Sequence, residues 1–228
     1  MDKIKPVKAD EKNYIFTEGI DYSKTSKKSI WGEEDKSTKD MLNRLVKDGS
    51  KWVNLASGDG RYNSLIAGIA KEIVDVDIDQ GALQKLYENT PNQLRKRLIL
   101  KSFNIVKKFP LESKMYDGVF SSGTLYLFPV NIFENIAKEI SRIVKVGGNI
   151  VLEWAIDIKR ISPDGKTLVF GNEPLYDREK TIEVVNRAFP NFELKYIDGE
   201  EIYSNEDEAN PPYEFYCKTL LIEGKKSK

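Results

Sequence analysis

The segment 51–62, with the sequence KWVNLASGDGRY, constrains the fold of this chain more than any other stretch. An apolar run at 52–55 leads into a turn of small residues at 56–60, and a helix-compatible segment follows. Strand, glycine turn and helix in this order form the first unit of a doubly wound α/β sheet, which binds nucleotides at that turn. Glycine lets a ligand approach the backbone closely, and the N–H groups that begin the helix favour an anion.

The spacing of the glycines limits which ligand this turn can bind. A dinucleotide fingerprint requires G-x-G-x-x-G, but Gly58 and Gly60 are followed by Asn63 at the third position. The phosphate-loop string G-x-x-x-x-G-K-[ST] does not occur in the sequence. Neither a pyrophosphate nor a triphosphate is therefore the favoured ligand.

The turn resembles the first motif of the class I S-adenosylmethionine-dependent methyltransferases, which has the form acid-x-G-x-G-x-G. The aligned residues 54–60 read NLASGDG, so Asn54 replaces the acid and Ala56 replaces the first glycine. The resemblance covers 33–223 through further features in the family's order, namely an acid at Asp77, Asn104, a strand with Asp117, and the glycine pair at 147–148.

This resemblance implies a three-layer α/β fold. Its doubly wound sheet would have seven strands, mostly parallel with an antiparallel last strand, and helices on both faces. We expect the methyltransferase domain at 33–223, and at 1–32 an N-terminal tail or a lid segment in which Tyr22 or Trp31 covers the cofactor. We expect a free C-terminal tail at 224–228 and a solvated acidic loop at 200–208, between the last two strands.

An acid at the end of the second predicted strand points to ribose recognition. Asp77 follows Gly60 by 17 positions, close to the spacing of about 20 at which such an acid hydrogen-bonds ribose hydroxyls. A calcium loop beginning at Asp75 is disfavoured, because its glycine falls one position late and its twelfth position is Leu86. Capping of the next helix stays open as an alternative role, for which Asp79 is better placed.

The resemblance implies S-adenosyl-L-methionine as cofactor and S-adenosyl-L-homocysteine as product. The glycine turn would face the methionine portion, Asp77 the ribose hydroxyls, and Ile78 with Asn104 or Ile105 the adenine, although Asn104 could equally be a turn residue. The predicted cofactor-binding residues are Ala56, Ser57, Gly58, Gly60, Asp77, Ile78, Asn104, Ile105 and Ser121.

Catalytic residues stay undetermined by the sequence, with two candidates. Tyr126 follows the fourth predicted strand, where it would contact the methyl acceptor or pack as a core aromatic. Glu153 lies at the end of the fifth strand, as a substrate contact or simply a strand end. A sulfonium methyl group is already electrophilic, so alignment of the acceptor supplies much of the rate and no strong base is required.

Composition excludes several classes of function. Lys+Arg and Asp+Glu both number 36, so the zero net charge disfavours a nucleic-acid substrate. The string NPPY at 210–213 resembles a nucleic-acid methyltransferase motif, but it lies too far downstream and is interpreted as a turn. There is no histidine and one cysteine, Cys217, so we predict no metal site. No apolar run is long enough for a membrane span and no signal peptide is recognisable, so we expect a cytoplasmic location.

The sequence therefore predicts a methyltransferase that transfers a methyl group by in-line displacement to a small-molecule acceptor of unidentified chemistry. Two alternatives remain. One is a non-catalytic S-adenosylmethionine-binding or regulatory module of the same fold, supported by Asn54 and Ala56. The other, less favoured because of Asn63, is an NAD-dependent oxidoreductase. The sequence leaves the oligomeric state open.

Overall fold

The structure, a computed structural model, describes residues 7–16, 20–169, 173–207, 209 and 211–228. The described part contains seven strands in one sheet, ordered β3-β2-β1-β4-β5-β7-β6. The strands are β1 (Lys51–Leu55), β2 (Glu72–Asp77), β3 (Leu98–Ser102), β4 (Tyr116–Ser122), β5 (Val144–Ile161), β6 (Phe192–Glu206) and β7 (Tyr213–Lys226). The α-helices are α1 (Lys36–Leu45), α2 (Asn63–Ile69), α3 (Gln80–Asn89), α4 (Val130–Ile143) and α5 (Arg178–Ala188).

The direction of the strands confirms the predicted fold class. Strands β1 to β5 pair in parallel, whereas β7 runs antiparallel between β5 and β6. The order reverses between β1 and β4, where the chain leaves one half of the sheet for the other. Such a reversal opens a crevice at the carboxyl ends of the strands, which is where open α/β sheets bind ligands.

Alternating side chains bury both faces of the sheet. Trp52 of β1 packs with Met41 of α1 and Ile66 of α2 on one face. The next residue, Val53, packs on the opposite face with Phe133 of α4. Because helices cover both faces, the central strands read as nearly continuous apolar runs.

Two segments that we expected to be loop or tail belong to strands. Glu200, Glu201 and Glu206 lie within β6, where pairing with β7 organises the backbone, and Glu208 lies outside the described residues. Residues 224–226 are the end of β7 and not a free tail. Lys226 Nζ donates to the carbonyl oxygens of Ser141 (2.6 Å) and Val144 (3.0 Å). Backbone pairing and this lysine cap outweigh the polar composition that suggested a free end.

No helix in the described part of the chain is long and apolar enough to cross a membrane.

Candidate active site

A cavity of about 480 Å³ lies at the carboxyl ends of β1, β2, β4 and β5. Seven of the predicted cofactor-binding residues line it: Ala56, Ser57, Gly58, Asp77, Ile78, Asn104 and Ile105. Both catalytic candidates, Tyr126 and Glu153, also line it. A cavity of this size suits a small molecule.

Two predicted residues are placed differently. Gly60 lies behind the turn, where an added Cβ would sit 2.6 Å from Leu86 Cγ, so this glycine allows α3 to pack closely. The Ser121 side chain is buried and its hydroxyl donates to the Leu55 carbonyl at 3.0 Å. Its neighbour Ser122 lines the cavity instead, because successive side chains of a strand point to opposite faces.

The glycine turn has a left-handed backbone. Gly58 and Gly60 adopt φ values of 52° and 85°, and Ala56 adopts 53°. For alanine this conformation costs on the order of 1 kcal/mol. The replacement of the family's first glycine by Ala56 therefore leaves the turn intact but strained. The Ser57 hydroxyl is buried within this turn and has no hydrogen-bond partner among the described residues.

Asp77 lies directly against the glycine turn. Its Oδ2 accepts from the backbone N–H of Gly58 at 2.8 Å, and its Oδ1 accepts from that of Asp79 at 2.9 Å. Burial raises the pKa of Asp77 to about 6, opposed by the backbone N–H groups of Asp79 and Gly58. The turn and this acid, from adjacent parallel strands, therefore face the same cavity, as the sequence analysis required.

The residues that depart from the known motifs meet at a second buried carboxylate. Asn54 Nδ2 donates to Asp75 Oδ1 at 3.2 Å across the β1–β2 pair. The Asn63 amide, turned with its nitrogen towards Asp75, donates to both carboxylate oxygens at 2.9 and 3.1 Å. Burial raises the pKa of Asp75 to about 8. The family motif has an acid at the position of Asn54 on β1. In this chain the buried acid is instead Asp75, which lies beside it on β2.

Glu153 is held by donors from three other elements. Its Oε2 accepts from Thr38 Oγ1 (2.8 Å) and the Tyr62 hydroxyl (2.6 Å), and its Oε1 accepts from Arg61 and Ser122 (both 2.6 Å). A carboxylate offers about four acceptor positions, so these bonds occupy it. This arrangement fits Glu153 for organising the site and not for taking a proton from a substrate.

The residues after Gly58 hold the N-terminal segment against the site. Asp59 accepts from the Ser29 hydroxyl (2.8 Å) and the Ile30 backbone N–H (2.7 Å). Arg61 donates to the Trp31 carbonyl at 3.0 Å. Sequence analysis missed these anchoring roles; an acid between two glycines was the available signal.

Aromatic residues of the same segment reach the cavity. Tyr22 and Trp31 both line it, and a Cβ built on Gly58 would lie 3.2 Å from Trp31 Nε1. Burial, with the negative charges of Asp77, Asp59 and Asp79, raises the pKa of the Tyr22 phenol well above its ordinary value. The segment therefore contacts the same turn that carries the predicted cofactor site.

At the far end of the cavity, the Asn104 amide makes two bonds within the chain. Its Nδ2 donates to the Asn13 carbonyl and its Oδ1 accepts from the Val106 N–H, both at 3.0 Å. The second bond is that of a turn residue, while the oxygen retains a lone pair for a further donor.

The catalytic candidate Tyr126 packs edge-on against Trp154, with ring centroids 6.4 Å apart.

Comparison with known proteins shows similarity to methyltransferases. Residues 53–152 match the family model of a methyltransferase domain. The fold resembles a S-adenosylmethionine-dependent methyltransferase from Methanosarcina mazei, with a TM-score of 0.64, 13% identity, and coverage of 82% of this chain and 98% of that chain. It also resembles DhpI solved with S-adenosylhomocysteine, with a TM-score of 0.58, 14% identity, and coverage of 82% and 80%.

A third similar structure is YcgJ from Bacillus subtilis, with a TM-score of 0.61, 11% identity, and coverage of 84% of this chain and 98% of that chain. No curated protein sequence matches the chain. Residues 53–152 thus match a methyltransferase domain, and the chain has the fold of the class I S-adenosylmethionine-dependent methyltransferases, in agreement with the resemblance seen in the sequence.

We predict that Glu153→Gln lowers the free energy of unfolding by about 3 kcal/mol, because it leaves Arg61 buried without its counter-charge. Urea denaturation monitored by circular dichroism measures this loss. The matched control is Glu223→Gln, whose partner Arg44 is 53% exposed and which should cost less than about 1 kcal/mol. Equal losses in the two variants would contradict a supporting role for Glu153.

We predict that Asp75→Asn changes the pH dependence of stability. Because the folded-state pKa of Asp75 is raised, the wild type loses stability as pH rises from about 4 to about 8. Relative to the variant, this loss should amount to at most about 1.4 kcal/mol per pH unit. Urea denaturation across that range measures it, with Asp48→Asn on an exposed turn as control. A constant difference between wild type and Asp75→Asn would refute the assignment.

Proposed function

We propose that this protein is an S-adenosylmethionine-dependent methyltransferase acting on a small-molecule acceptor. The observation that carries the proposal is the contact between Asp77 and the Gly58 backbone, at the wall of a cavity in a methyltransferase fold. Two distinct recognition groups, a glycine turn and a carboxylate, thereby face one space. A cytoplasmic location remains a prediction beside this proposal.

The residues present fit the cofactor. Each oxygen of Asp77 accepts one backbone N–H and keeps acceptor capacity for a ribose hydroxyl. Ser57, which lines the cavity at the turn, offers a polar contact to the methionine portion. Ile78 and Ile105 line the cavity with apolar surface that suits the adenine ring. We therefore propose the same cofactor-binding residues as the sequence did, without Gly60 and with Ser122 in place of Ser121.

The proposed reaction requires the protein to position its two ligands and to enclose them. When bound, S-adenosylmethionine supplies a methyl group on a positively charged sulfur, which an acceptor can displace in line. Orientation of the reactants can account for a large part of such a barrier. Glu153 stabilises the walls through Arg61 and Tyr62, and Tyr126 is proposed to contact the acceptor. Enclosure also keeps water from the reacting groups.

We further propose that the N-terminal segment covers the cofactor. Asp59 and Arg61 anchor it at residues 29–31, and Tyr22 and Trp31 place aromatic surface in the cavity. Residues 1–6 and 17–19, which belong to the predicted lid, lie outside the described residues. The described contacts favour a cover anchored at its C-terminal end over a free tail.

We predict that Asp77→Asn weakens S-adenosylhomocysteine binding by roughly tenfold or more, because the ribose hydroxyls lose a charged acceptor. Isothermal titration calorimetry measures the affinity. In the wild type, affinity should also fall as pH drops below about 6, where Asp77 takes up a proton, and the variant should lack this dependence. Asp48→Asn is the control. A wild type that gives neither heat nor thermal shift would refute the proposed function.

We predict that S-adenosylhomocysteine alters tryptophan fluorescence mainly through Trp31. The chain has three tryptophans, and Trp52 and Trp154 are 1% and 0% exposed. Trp31→Phe should abolish most of the change, because its indole lies against the glycine turn, whereas Trp154 lines the cavity with its ring packed among Tyr126, Phe133 and Tyr176. Trp52→Phe, in the core, is the matched control and should retain it. An undiminished change in Trp31→Phe would mean that the segment does not cover the ligand.

A further inference from the structure

Three strands continue beyond the cofactor end of the sheet as a ribbon, defined here as residues 158–161, 202–206 and 213–219. Pairing between β4 and β5 ends at Glu153, after which β7 is the neighbouring strand that pairs with β5. The ribbon is held by the pairs of Arg160 and Ser204 with Phe215, and of Ile202 with Cys217. It therefore projects from the sheet beside the cavity.

One face of the ribbon forms a wall of the cavity. Every second residue along each strand has its side chain on this face. These residues are Ile202, Ser204 and Glu206 on β6 and Tyr213, Phe215 and Cys217 on β7. The opposite face carries Tyr203 and Tyr216, whose ring centroids are 4.8 Å apart. This alternation separates a ligand-facing set of side chains from an outer set on the same strands.

The ribbon wall provides apolar and aromatic surface. Tyr213 and Phe215 pack edge-to-face with centroids 6.5 Å apart. Phe16 and Phe128 make a similar pair at 5.3 Å and also line the cavity. Aromatic side chains favour a ring-shaped partner, because stacked and edge-to-face contacts add to the burial of its surface.

The arginines of this cavity are already paired within the chain. Arg160 donates to Glu173 at 2.7 and 3.0 Å, and the two side chains are 3% and 0% exposed. Arg61 is paired with Glu153. Among the described residues that line the cavity there is no lysine. An anionic acceptor would therefore lose its hydration without gaining a counter-charge, which is costly.

We propose that the ribbon binds the methyl acceptor and that this acceptor is a ring-bearing small molecule that carries no negative charge. The inference rests on the proposed methyltransferase function. In the reaction, a lone pair of the acceptor forms a bond to the methyl carbon, and the carbon–sulfur bond breaks with its electron pair left on sulfur. The proton of the acceptor heteroatom passes to water.

Three probes that share a naphthalene ring test the charge requirement. Binding of 2-naphthol, 2-naphthoate and 2-naphthyl phosphate is measured by equilibrium dialysis at neutral pH, with and without S-adenosylhomocysteine. The neutral 2-naphthol should bind at least roughly tenfold more tightly than either anion. Equal or tighter binding of an anion overturns the proposal.

Two variants on opposite faces of one strand test the location. Phe215→Ala should weaken 2-naphthol binding by roughly tenfold, whereas Tyr216→Ala should change it by less than about twofold. Both should bind S-adenosylhomocysteine like the wild type, which shows that they fold. Equal effects of the two variants on 2-naphthol overturn the proposal.

A charge-introducing variant gives an independent test if Phe215→Ala fails to fold. Ile202→Lys places a cation on the ligand-facing side of β6 and should shift the preference from 2-naphthol towards 2-naphthoate. An unchanged preference places the probe elsewhere and overturns the proposal. Failure of the wild type to bind S-adenosylhomocysteine would instead refute the methyltransferase function, so the two failures are distinguishable.

Discussion

The buried carboxylate of Glu153 joins the elements that surround the cavity. It accepts hydrogen bonds from Thr38 of α1, from Arg61 and Tyr62 before α2, and from Ser122 of β4. A buried carboxylate is tolerated only when it is paired and fully hydrogen-bonded. The same requirement therefore fixes the positions of α1, the glycine turn and β4 relative to β5. The hydrogen bonds to Glu153 therefore also determine how the ligand-binding surfaces on these elements are arranged.

The cavity is made from two kinds of strand end. At one end, the short parallel strands β1 and β2 stop together and present a glycine turn and Asp77. At the other, β5, β6 and β7 continue as a ribbon whose alternating side chains form a wall. Backbone groups and a carboxylate suit a polar, nucleoside-containing ligand, whereas an aromatic wall suits an apolar one. This division matches a reaction between two different substrates.

Much of the fold followed from local patterns in the chain. The strand and turn at 52–60 with the helix that follows, and the capping of the next helix by Asp79, were predicted and are observed. The β6 part of the ribbon, residues 202–206, was missed because its acidic, alternating sequence resembles a solvated loop when its pairing partners are unknown. The end of β7 was missed for a similar reason, since the partners of Lys226 lie on α4 and β5.

The sequence by itself determined the strand–turn–helix unit, the acid after the second strand and their shared edge, because these depend on neighbours in the chain and on the rules of parallel sheets. Only the tertiary structure decided the roles of Glu153, Asp59 and Asp75. Thr38 and Glu153 are 115 positions apart, and Asp59 and Ser29 are 30 apart. Whether a carboxylate serves as a base, an anchor or a buried partner depends on the donors around it, and folding alone brings these together.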